Sequence, residues 1–97
     1  MINKKKIEIT SEQLKYIYGQ DYNFFLKKTL QNCYCKTCYQ TEGCSTVVNY
    51  NIYINDLNDI ILKGFCAKCK REIGRYLETG EVRKYFLRIR KIIAKLK

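Results

Sequence analysis

The sequence predicts an α+β domain in which a small three-stranded antiparallel sheet lies between an N-terminal and a C-terminal helix. Three observations predict it. Two Cys-x-x-Cys pairs enclose a segment with a period of two, an amphipathic stretch precedes the first pair, and a strongly basic amphipathic stretch follows the second. At 97 residues the chain has the size of one domain, 1–97, which divides into a helix over 1–32, a cysteine-bracketed sheet over 33–78 and a basic helix over 79–97.

In the first segment, Thr10 and Gln13 have capping-box spacing, and Leu14, Ile17, Tyr18, Phe25, Leu26 and Leu30 recur near helical spacing. The expectation is a helix from about Ser11 to Gln31, interrupted at Gly19. "CYCKTCYQTEGCS" follows with neither helical nor strand period and reads as a turn that presents thiols, with a trailing loop. Val48, Tyr50, Ile52 and Ile54 then alternate with Asn49, Asn51 and Tyr53, as in a half-buried strand. "NDLND" is a turn by composition, and "IILKGFC" completes a hairpin over 46–66. "REIGRYLE" reads as a third strand, with Ile73 and Leu77 on one face and Tyr76 on the other. The last helix begins at Thr79 or Gly80, with Glu81 in its first turn, where the helix dipole favours a carboxylate. Val82, Tyr85, Phe86, Ile89, Ile92, Ile93 and Leu96 form its apolar stripe, and Lys and Arg fill most of the remainder.

The cysteines carry the sharpest chemical signal. Cys35 and Cys38 are separated from Cys66 and Cys69 by 27 residues that read as a hairpin, so each pair can wrap one side of a tetrahedral metal. Four thiolates favour a structural Zn2+, one per chain; an iron–sulfur cluster also uses four Cys, but nothing sets iron above zinc. "CYCKTC" also offers Cys33, and Cys33 and Cys44 exceed a four-ligand set; as small buried or half-exposed thiols they need no metal.

On these residues, over roughly 33–78, the chain resembles the zinc-ribbon class, which implies two knuckles, a hairpin between them and a further strand. Tyr39 and Lys70 stand where such knuckles often carry Gly. The Asp56/Asp59 tip is similar to the acidic hairpin tip of zinc ribbons in transcript-cleavage factors, but it lacks their adjacent Asp-Glu pair, and Asp and Asn are ordinary turn residues.

Enzymatic chemistry is not expected. A four-thiolate site is closed, and the chain has no His to serve as base or proton shuttle. The net charge of +10 is uneven: residues 81–97 hold seven basic and one acidic side chain, whereas 33–80 hold six and five. Four zinc-bound thiolates would trim the total to about +8. Basic residues interleaved with Tyr suit nucleic acid, because cations release counterions from phosphates and Tyr stacks on unpaired bases. The candidate contacts are Lys68, Lys70, Arg71, Arg75, Arg83, Lys84, Arg88, Lys91 and Lys95, on DNA or RNA. The rival expectation is a small adaptor or inhibitor, of the kind carried by mobile elements, that turns the same face to an acidic or nucleic-acid-binding protein surface. The C-terminal helix could also pair two copies. Without a signal-type apolar region or a run of membrane-spanning length, the expected location is the cytoplasm, with no membrane partner.

Overall fold

The computed structural model describes residues 6–38, 43 and 45–96. Within them β1 (Ile7–Ile9), β2 (Val47–Ile54), β3 (Ile60–Cys66) and β4 (Glu72–Leu77) form one antiparallel sheet in that spatial order. The sheet thus has four strands where the sequence predicts three. The additional strand, β1, lies in the segment read as helical. Three residues are too few to establish a period, and β1 becomes a strand by pairing with β2, with Ile7 opposite Ile54 and Ile9 opposite Ile52.

The capping box forms as its spacing predicts. The Thr10 amide donates to Gln13 Oε1 at 2.8 Å, the Gln13 amide donates to Thr10 Oγ1 at 3.2 Å, and α1 (Ser11–Tyr18) follows. Gly19, at φ +56°, ends it. The chain continues through a 3-10 turn (Gly19–Asp21), the single turn α2 (Tyr22–Phe24) and a π turn (Phe25–Thr29). The long helix expected over 11–31 is therefore a series of turns, although Leu14, Ile17, Tyr18, Phe25 and Leu30 are all buried as its stripe requires.

In the β2–β3 hairpin, Asn49 and Tyr50 together oppose Gly64 in a bulge, with Asn49 at φ +51°. Only glycine fits at 64, since a Cβ there would lie 2.6 Å from the Val48 carbonyl oxygen and 2.8 Å from Tyr50 Cβ. At the hairpin tip, Asn55 Oδ1 accepts the amides of Leu57 and Asp59. Asp59 is buried; it accepts the Tyr76 hydroxyl on Oδ2 and the Gly80 amide on Oδ1 at 2.8 Å. One carboxylate of the tip thus fastens the hairpin to the 3-10 turn Thr79–Glu81, which leads into the last helix, α3 (Arg83–Leu96).

One sheet face packs against the helical segments. Ile9, Ile52, Ile54, Ile60, Leu62 and Leu77 meet Leu14, Ile17, Tyr18 and Phe25, with Ile89, Ile92 and Ile93 of α3 in the same cluster. Val82 and Leu96, at the two ends of the α3 stripe, are exposed. Among the described residues no helix is long and apolar enough to cross a membrane.

Candidate metal centre and basic surface

Strand β3 delivers Cys66 to the inner side of the sheet edge, and the backbone then folds tightly over its sulfur. The Cys66 amide donates to the Arg71 carbonyl at 2.8 Å, and the Lys70 amide donates to the Cys66 carbonyl at 2.9 Å. The amides of Lys68 and Cys69 point at Cys66 Sγ from 3.4 and 3.5 Å. This fold-back places Lys70 at φ +68°, the conformation that Gly would adopt without strain. Tyr39, the other departure from the usual Gly, lies outside the described residues, as does Cys44.

The first pair is held to the second by backbone. Cys33 and Ser45 exchange two amide–carbonyl hydrogen bonds at 2.8 Å, and the Ala67 amide donates to the Thr46 carbonyl at 2.9 Å. These bonds set Cys35 and Cys38 over Cys66 and Cys69, and the four sulfurs lie within 4.8 Å of one another. Cys35 Sγ is 3.5 Å from Cys69 Sγ, and Cys38 Sγ is 3.8 Å from Cys66 Sγ. A disulfide needs about 2.05 Å. Four thiolates at about 2.3 Å from a central zinc stand about 3.8 Å apart, so the cluster has the dimensions of a tetrahedral site. The four predicted ligands are the four brought together. Cys33 is not among them; it is fully buried in the main core, and its thiol donates toward the Thr29 and Leu30 carbonyls.

The electrostatics of the cluster favour a cation. The Cys69 amide and the Ser45 hydroxyl draw the Cys66 thiol down to about 6, while burial and the neighbouring sulfurs push the Cys38 thiol up to about 12. One thiolate forms readily and the next is resisted, the pattern in which metal binding releases protons. Ser45 was not predicted. Its hydroxyl, fully enclosed, lies 2.9 Å from Cys66 Sγ. A Ser just before a strand carries no motif, and only the Cys33–Ser45 bridge brings it to the sulfur.

The predicted basic residues divide into two groups. Lys68, Lys70 and Arg71 are exposed on the second knuckle, and Arg83, Lys91 and Lys95 are exposed on α3. Lys91 and Lys95 flank a groove of about 530 Å³ between α1 and α3, together with Glu12 and Tyr16. The other three are tied to other elements of the fold, while Lys70, though exposed, also donates to the Ala67 carbonyl of its own turn at 3.2 Å. Arg75 sits on the inner sheet face and donates to the Asn32 carbonyl at 3.1 Å, and its buried Nε has no hydrogen-bond partner among the described residues. Lys84 pairs with Asp21 at 2.8 Å and lies over the Tyr85 ring. Arg88 donates to the Ile17 carbonyl at 2.8 Å. Lys84 and the Tyr85 hydroxyl hold the Asp21 carboxyl below the usual carboxylate range.

The fold and site together define a mixed α+β protein with a closed cluster of four cysteines, compatible with zinc. No protein-family model matches the chain, and neither a curated protein nor a solved structure resembles it significantly.

Proposed function

We propose that the protein is a zinc-ribbon nucleic-acid-binding factor, regulatory or accessory, with no catalysis of its own. The observation that carries this reading is that the turn wrapping the four-cysteine cluster also displays Lys68, Lys70 and Arg71 to solvent. Zinc would hold that turn in shape, and the turn would hold three cations where phosphates can reach them. A four-thiolate zinc has no open position for substrate, so the metal serves the fold.

The test combines elemental analysis with titration of labelled DNA and RNA at two salt concentrations. One zinc per chain is expected, with affinity falling steeply as salt rises. Lys70→Glu with Arg71→Glu should lower the salt slope by about 2, one counterion equivalent per lost phosphate contact. Zinc-loaded protein that binds no nucleic acid at low salt would overturn the reading. A second reading, an adaptor or inhibitor that binds protein, is favoured by the groove between α1 and α3. Such a protein would ignore free nucleic acid at every salt concentration.

A further inference from the structure

Among the described residues, the helices pack on one face of the sheet and leave the second face open. Strand register assigns that face to Glu8, Tyr53, Ile61 and Tyr76 in one row, Asn51, Lys63 and Gly74 in the next, and Val48, Phe65 and Glu72 in the third. Aromatic rings are normally the side chains most worth burying, yet Phe65 is 40% and Tyr76 47% exposed here. Between the rings the face is concave. Gly74 has no side chain in the middle row, and the resulting depression, about 580 Å³, is bordered by Tyr53, Phe65, Lys63 and the amides of Asn49 and Asn51.

The charge on this face is also informative. The Lys63 ammonium lies 5.8 Å from the centre of the Tyr53 ring and is close enough to Lys6 to hold that ammonium below its ordinary pKa. Two crowded cations, one of them over an aromatic ring, are relieved by an anion. Of the acidic groups, Glu8 is engaged by Asn51 at 2.8 Å, and Glu72 stands beside Phe65, where it can accept from a base amine.

We infer that this open face binds single-stranded nucleic acid, with unpaired bases stacking on Phe65 and Tyr53 while Lys63 and Lys6 meet the phosphates. The rows containing Tyr53 and Phe65 are four β3 residues apart, about 13 Å, which suits a platform for two or three bases. A duplex keeps its base faces stacked inside and could use only the lysines. The inference rests on the nucleic-acid reading above but assigns it a different surface and a particular strand state.

The experiment uses zinc-loaded full chain, fluorescein-labelled U10 and dT10, and a labelled 20-bp duplex, with zinc content and thermal unfolding checked for each variant. Phe65→Ala should weaken U10 and dT10 by roughly 5- to 150-fold, the loss of one stacked base, and leave duplex affinity unchanged. Phe65→Tyr, which retains a ring, should bind like the wild type. Lys63→Gln should lower the single-strand salt slope by about 0.7. If the duplex binds with salt sensitivity while U10 and dT10 do not, or if Phe65→Ala binds them like the wild type, the open-face inference fails and the general reading survives. If no nucleic acid binds, both fail.

Discussion

Replacing Arg88 by Met tests whether this cation belongs to the fold or to the surface. Its Nη1 donates to the Ile17 carbonyl at 2.8 Å in the last turn of α1, where helix carbonyls have no intrahelical donor. Gly19, at φ +56°, makes room for it, since a Cβ there would come within 3.0 Å of the same nitrogen. A hydrogen bond from a charged donor contributes about 1.5–3 kcal/mol, and a cation at a helix C-terminus about 0.3–1 kcal/mol. Arg88 is half-buried, so the lower part of that range applies, and the expected loss is about 2 kcal/mol. For a domain of this size each kcal/mol moves Tm by about 4–8 °C, which puts the variant roughly 8–16 °C below the wild type. Urea unfolding of zinc-loaded protein should show a lower midpoint with an unchanged m-value, because the surface exposed on unfolding is the same. A loss below about 0.5 kcal/mol would refute the reasoning and return Arg88 to the solvent-facing cations. The outcome governs how binding studies are read, since Arg88→Glu would then lose affinity by unfolding without ever having touched a phosphate.

Ser45→Ala should weaken zinc about 10- to 100-fold in competition with a chromophoric chelator, because it removes the hydroxyl 2.9 Å from Cys66 Sγ; unchanged affinity would mean that the hydroxyl is a bystander. Lys70→Gly should raise unfolding free energy by about 1 kcal/mol at constant zinc stoichiometry, because Gly adopts φ +68° without the penalty paid by a Cβ; a fall in stability would show that the contact from Lys70 Nζ to the Ala67 carbonyl matters more. Metal removal should abolish amide exchange protection at Cys66, Ala67 and Lys70 while amides of the central strands, such as Leu62, stay protected. The reason is that Cys35, Cys38 and Cys66 form a cluster apart from the main core, with Ile73 packed against both; uniform loss of protection would refute that division.

The parts of this protein that are legible in sequence are those in which chemistry and spacing coincide. The four-cysteine cluster follows from two Cys-x-x-Cys pairs joined by a hairpin-length segment, and the surplus thiol Cys33 proves to be core because a small apolar side chain suits that position. The α1 boundary was legible because a capping box is a local hydrogen-bond pattern. Strand β1 was not, since a three-residue strand has no period of its own and exists only through its partner. Nor was the fragmentation after Gly19, because 3-10, α and π turns bury nearly the same stripe and differ in which carbonyl each amide reaches. Ser45 was hidden for the same reason as β1: its role is set by a contact 21 residues away along the chain.

The basic residues pose the same problem in sharper form. Charge can be counted in a sequence, but the availability of that charge depends on what each cation already touches. On α3 the crowding of Lys84, Arg88 and Lys91 suggests mutual repulsion awaiting an external anion, yet Asp21 and the Ile17 carbonyl supply acceptors for two of the three from within the chain. A helix that looks uniformly basic therefore has one side committed to α1 and the turn after it. The charge offered to a partner is narrower than the formal total: Lys63 on the open sheet face, Lys68, Lys70 and Arg71 at the knuckle, and Arg83, Lys91 and Lys95 on α3 are exposed, while Arg75, Lys84 and Arg88 are tied to other elements of the fold. Charge reversal at the knuckle and outward α3 positions should change binding while leaving the fold in place, whereas reversal at Arg75, Lys84 or Arg88 should lower stability, with any loss of affinity following from unfolding. The difference between the two sets is measurable in a single pairing of affinity with thermal unfolding.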